Sequence, residues 1–193
     1  MAITNNPLDS KKRILSNAKY VKLIPYKDEG TTLGTNSFTF DTLLADSTSF
    51  QNDDPTTNQR DSETKDEPAV QNTVLGAYQF ATTSLDVQDE IIKAMMGWTT
   101  GTTDNDVVYA PVSYKPLYAM LIIGFTSTTD CLVAPKLKLN TKMVVASLKT
   151  SSGEVQITGT AYAGKLTIDS GQVETPSAFV PEAKLSKVIP SLA

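Results

Sequence analysis

Of the side chains that could relay a proton, bind a metal or attack an electrophile, histidine is missing altogether. That removes the usual general base, the usual imidazole metal ligand and the usual partner of a nucleophilic serine or cysteine. The single cysteine, Cys131, excludes an intrachain disulfide framework and a multi-cysteine zinc site. It reads as a small apolar residue at a strand edge. Carboxylate, lysine or serine–lysine chemistry is what the composition still permits. Asp104, Asn105 and Asp106 invite a calcium reading, but the other positions of an EF-hand loop are absent, so they read as a solvated turn. Ser151-Ser152, with Lys149 nearby, sits where a hairpin turn is expected and reads as turn chemistry too. The densest carboxylates fall in a polar stretch unsuited to holding a catalytic pair in register. No phosphate-cradling glycine loop or nucleophile elbow is present. The expectation is a protein that is not an enzyme and carries no cofactor or metal.

The chain has 193 residues, 40% apolar and 20% charged, with a formal charge of −4, which suits one globular domain with an ordinary core. That balance argues against a domain that clamps nucleic acid through its phosphates. The charge is segregated. Between Lys11 and Lys27 stand six basic residues and no acidic one; between Asp41 and Glu67 stand eight acidic residues against Arg60 and Lys65. The N-terminal residues contain no apolar run suited to export. Leu117–Phe125, the longest apolar stretch, is too short to cross a bilayer as a helix. No membrane insertion is expected, and synthesis in a reducing cytoplasm is the default.

The elements that would position these residues are mainly strands. Tyr20–Ile24 is a β run closed by Pro25, and Ser37–Thr42 alternates strictly, with Phe38 and Phe40 on one face. Val74–Phe80 alternates again. The period then changes: Leu85 with Ile92, and Ile91 with Met95, predict a helix over 85–96, capped by Ser84 and stopped by Gly97. Its Met95–Met96 pair reads as core filler. Strands are expected at Val107–Val112 and at Leu117–Phe125, the latter apolar on both faces and therefore central. Thr141–Lys149 and Glu154–Tyr162, joined by a turn ending in Gly153, signal a hairpin. Another short strand is expected at Leu166–Ile168. Residues 1–16 and the proline-punctuated 171–193 read as terminal arms around one β domain, 17–170.

The stretch 45–72 is a long polar loop that cannot form a core of its own. Two readings stand: a solvated surface loop, or an arm ordered by a neighbouring copy. On the second, Asp53, Asp54, Arg60, Asp61, Glu63, Lys65, Asp66 and Glu67 are inter-subunit residues. Their basic counter-surface is drawn from Lys11, Lys12, Arg13, Lys136, Lys138 and Lys142. In the late hairpin Val155, Ile157 and Ala161 face one way, while Glu154, Gln156, Thr158 and Thr160 face the other and are candidates for a channel wall.

The element order resembles the major tail tube protein of long-tailed bacteriophages. The order runs from a short β run through the acidic loop, the strand Val74–Phe80 and a helix ending Met95-Met96-Gly97-Trp98 to a strand containing Pro111. The apolar strand Leu117–Phe125 and the phrase Val155-Gln156-Ile157-Thr158-Gly159-Thr160-Ala161-Tyr162 complete it, so the resemblance spans about residues 18–165. It implies an antiparallel β-sandwich or small β-barrel with one flanking helix, six copies per ring, and rings stacked into a tube. It further implies contacts with other tail proteins, DNA passing without specific binding, and a place in the virion tail after assembly in the host bacterial cytoplasm. Related tubes occur in type VI secretion and contractile injection systems. The alternative from a different class is a β-sandwich binding module for a carbohydrate or a host surface.

Overall fold

A computed structural model describes residues 17–27, 32–62, 65–74, 76–85, 88–103, 108–112, 116–144, 153–168 and 171–188. Its elements in chain order are β1 (Ala18–Pro25), β2 (Phe38–Phe40), β3 (Ser49–Asn52), β4 (Thr56–Ser62), β5 (Lys65–Val74), β6 (Tyr78–Ser84), α1 (Asp89–Met96), β7 (Thr99–Thr100) and β8 (Val108–Tyr109). There follow β9 (Leu117–Phe125), β10 (Asp130–Val144), β11 (Glu154–Tyr162), β12 (Gly164–Ile168), β13 (Gly171–Thr175), β14 (Ala178–Pro181) and α2 (Glu182–Val188). The principal sheet runs β2-β1-β9-β10-β11-β6-β3, every neighbouring pair antiparallel, with β14 attached to β10. The architecture is therefore mainly antiparallel β, and the sheet does not close into a barrel.

β9 is central because its sequence leaves it no exposed face. Ala119, Leu121 and Ile123 enter one core with Val21, Leu23, Phe40, Phe80 and Ile157, covered by Ile91 and Met95 of α1. Met120 and Ile122 enter a second core with Ile24, Val133, Leu166, Val180 and Leu185, covered by β12, β14 and α2. The period of two thus splits one apolar run between two cores.

β10 starts eleven positions before the predicted strand at Thr141, and its early half was hidden by Pro135. A proline cannot donate to a ladder and is normally confined to edges and bulges. Here β14 pairs with Asp130–Val133 and β11 pairs from Lys136 onward, so Pro135 falls between the two partners. The pairing with β9 shifts register between Ala134 and Leu137 at the same place. The bulge explains why the residues that enter the first core change parity from Leu132 and Ala134 to Leu137 and Leu139.

Four expectations need correction. The helix begins at Asp89, not Leu85, with Gln88 as its extended N-cap. Ser84 instead ends β6, fully buried opposite Val155, and the Leu85 N–H bonds the Thr42 carbonyl at 3.0 Å, which keeps that segment extended. Gly97 does stop the helix in the left-handed region at φ 71°, its N–H bonding the Lys93 carbonyl. Val74–Phe80 is not one strand: Val74 ends β5 and β6 starts at Tyr78. The polar stretch 45–72 is not a bare loop but holds β3, β4 and most of β5. A hairpin satisfies its backbone groups by pairing and needs no apolar side chains to do so. Finally, 171–188 is not a free arm: Val180 and Leu185 are buried in the second core. Lys149, Ser151, Ser152 and the Asp104–Asp106 turn lie outside the described residues.

Candidate assembly surfaces

The edge of the sheet extends into a ribbon. Asn52 lies opposite Tyr78, the Asp53 N–H bonds the Ala77 carbonyl at 2.8 Å, and Thr56 lies opposite Val74, so one register runs unbroken from the β3–β6 pair into the β4–β5 pair. The joint is specific. A Cβ at Gly76 would stand 1.9 Å from the Asp53 carbonyl oxygen, so only glycine permits the two backbones to pass that closely. Pro55 occupies the other strand of the joint. At the root, the Phe50 and Tyr78 rings stack with centroids 5.8 Å apart. Gln79 Nε2 donates to Asp53 Oδ2 at 3.0 Å, and Thr160 Oγ1 donates to Gln79 Oε1 at 3.0 Å. Beyond the joint, β4 and β5 pack substantially only on each other.

Of the residues expected at inter-subunit contacts, Asp53 and Asp54 are exposed at the joint, and Arg60, Asp61, Lys65, Asp66 and Glu67 lie on β4 and β5. Glu63, Lys11, Lys12 and Arg13 lie outside the described residues.

The other two predicted sets, expected on different surfaces, share one. In the β10–β11 register Lys136 pairs with Tyr162, Lys138 with Thr160, Asn140 with Thr158, Lys142 with Gln156 and Val144 with Glu154. Directly paired residues point to the same side of a sheet. The lysines and the candidate wall residues therefore form a single polar face, which β6 continues through Gln79, Ala81 and Thr83. Lys138, Asn140, Lys142 and Thr158 are exposed. Lys136 Nζ sits 5.3 Å from the centre of the Tyr118 ring. The opposite parity of β11, Val155, Ile157 and Ala161, is buried as the alternation predicts.

A cleft of about 840 Å³ opens between β3 and β14, lined by Leu43, Phe50, Tyr78, Phe125, Leu132 and Phe179 among others. Among the described residues β3 is the last strand of the principal sheet on that side. Sequence reasoning missed this cleft, because Phe179 was assigned to a tail and Leu132 to no element.

Cys131 is buried, and its Sγ lies 3.5 Å from Tyr20 Oη, which also donates to Glu182 Oε1 at 3.1 Å. Burial pushes both the thiol and the phenol above their ordinary ranges. A protonated, buried thiol is no nucleophile; this trio fastens the start of α2 to β1 and β10. Among the described residues no group of three acidic or sulfur ligands could hold a metal ion, and no helix is long and apolar enough to cross a membrane.

No family model and no curated protein matches the chain. Among solved structures, it is similar to a chain in the cryo-EM structure of the anti-feeding prophage (AFP) baseplate, 6-fold symmetrised. The TM-score is 0.40 at 5% identity, covering 89% of this chain and 98% of that one. A likeness that distant leaves the function to be argued from the surfaces themselves.

Proposed function

We propose that the chain is a structural, non-enzymatic subunit of a phage-tail-like particle, and that six copies form rings that stack into a tail tube through which DNA passes. The observation that carries this reading is the β4–β5 ribbon, a two-stranded extension packed substantially only on itself and continued in register from a sheet edge. An isolated two-stranded hairpin is marginal in water and gains stability from a third surface. A neighbouring copy is the supplier always present in a ring. The outer edge of β3, the last strand of the principal sheet among the described residues, adds backbone donors and acceptors that a neighbour's strand can satisfy. Other tail proteins would meet the ends of the tube, with assembly in the host bacterial cytoplasm and final residence in the virion tail. A contractile injection system or a type VI secretion tube could use the same subunit. A carbohydrate-binding module is less well supported, because the large exposed aromatics among the described residues are few, Tyr109, Tyr162 and Phe179, each on a different strand.

The test is to replace Thr56–Val74 by an Asn-Gly turn, which the close approach of the two strands at Asp53 and Ala77 allows. The shortened chain is expected to fold as a monomer and to form no rings or tubes by negative-stain microscopy where the full chain forms them. Tubes of normal length from the shortened chain, or dispersed monomers from the full chain under all conditions, would overturn the reading.

A further inference from the structure

The face formed by β10, β11 and β6 has an unusual charge for this chain. The protein is acidic overall, yet Lys136, Lys138 and Lys142 lie on one side of β10, and their register partners Tyr162, Thr160 and Gln156 are neutral. Glu154, at the far end of β11, is the acidic residue of that side. The lysines therefore have no carboxylate directly across the strand from them. Among the described residues Lys138 and Lys142 are exposed, and such charges are open to a partner on another molecule.

The ribbon carries the opposite balance. Of its described residues and those of its joint, Asp53, Asp54, Asp61, Asp66 and Glu67 are acidic, against Arg60 and Lys65. Within its own chain it continues the register of β3 and β6 past the Gly76 joint, and among the described residues β4 and β5 make no substantial contact with β10 or β11. Strands lie about 4.8 Å apart, so a two-stranded ribbon, one spacing across, fits within the three-stranded face, which is two spacings across.

We infer that the lysine face of β10–β11 is the docking surface for the acidic β4–β5 ribbon of a second copy. This deepens the proposed function and rests on it, since it names the two surfaces that meet between subunits. It also resolves the coincidence of the two predicted sets on one face. A face carrying Lys138 and Lys142 makes a poor wall for a channel that must not hold DNA, whereas a covered face takes those charges out of the lumen. Gln156, Thr158 and Thr160 then supply neutral hydrogen-bonding groups beneath the ribbon. Each ion pair at such a surface contributes little, and the effect comes from repetition at every subunit.

Charge reversal tests this on the full-length chain by sedimentation velocity and negative-stain microscopy. Lys138 and Lys142 are exposed, so Lys138→Glu with Lys142→Glu should leave the fold intact by circular dichroism. The double reversal is expected to lower the assembled fraction at least ten-fold. Asp66→Lys with Glu67→Lys in the ribbon should do the same, and all four substitutions in one chain should restore assembly. Assembly of the lysine variant at the wild-type level overturns the inference while leaving the proposed function standing. The same result with loss of DNA retention assigns the face to nucleic acid and overturns it too. A wild-type chain that never self-associates overturns both.

Discussion

Thr141 lies on the buried side of β10, next in the alternation after Leu137 and Leu139, and its hydroxyl has no hydrogen-bond partner among the described residues. A buried hydroxyl without a partner forfeits its hydration and gains nothing in return. Thr141→Val keeps the branched shape and deletes the polar atom, so it should stabilise the fold by about 1 kcal/mol. The denaturant midpoint should rise with an unchanged slope; a fall would show that the hydroxyl is satisfied in solution. A second residue-scale prediction concerns alkali. Burial raises the proton affinity of Cys131, Tyr20 and Tyr26 in the folded state. Above the ordinary thiol and phenol values of 9.0 and 10.0, the unfolded chain releases protons that the folded chain still holds. The unfolded state then binds fewer protons, so stability declines as pH rises through that range and is unaffected below it. Midpoints measured from pH 8 to 11 should fall, and Tyr20→Phe should make the decline shallower. A flat profile, or an equal slope in the variant, would remove the tyrosine from this account.

At the scale of elements, legibility followed contrast between neighbouring positions. The run Leu117–Phe125 matched β9 because an uninterrupted apolar stretch of that length has one economical place, the middle of a sheet. β11 was legible because Val155 and Ile157 alternate with polar residues, and Gly97 because a left-handed stop favours glycine. The ribbon was not legible, since Thr56–Ser62 is polar at every position and a period of two leaves no trace without two kinds of residue. Prolines misled at both remaining places. Pro135 concealed the start of β10, although a bulge between two partners tolerates it. Pro176 and Pro181 suggested a tail, although Pro181 ends an edge strand opposite Asp130 and leads into α2. The grouping of residues on the candidate assembly surfaces was half legible for a related reason. The sequence displays which residues are charged, but only strand register reveals that Lys138 and Thr160 share a side. Residues at sequence separations this large become neighbours through pairing, and a one-residue slip would have parted them.

For the whole molecule, the segregated charge makes a statement about ionic strength and about DNA. If acidic ribbons meet lysine faces at every subunit contact, their attraction is screened over about 8 Å at physiological salt and about 3 Å at 1 M. The assembled fraction should therefore fall as salt rises, when followed by light scattering at fixed protein concentration. An apolar-driven assembly would hold steady or strengthen, because burial of apolar surface is not weakened by screening. In a tube built on the proposed contacts, the same arrangement would govern how DNA is treated. A duplex gains affinity for each phosphate that a lysine neutralises, through release of condensed counterions, and every such contact retards passage. If the lysines of β10 are covered as proposed, the lumen of such a tube should present neutral and acidic groups, in keeping with the net charge of −4. Assembled particles should then fail to retain duplex DNA in co-sedimentation at physiological salt. Lowering the salt to about 0.01 M lengthens screening to about 30 Å and should expel DNA further if the wall is acidic, or capture it if the wall is basic. Retention that grows as salt falls would place uncovered lysines on the lumen and reverse the assignment of its sign.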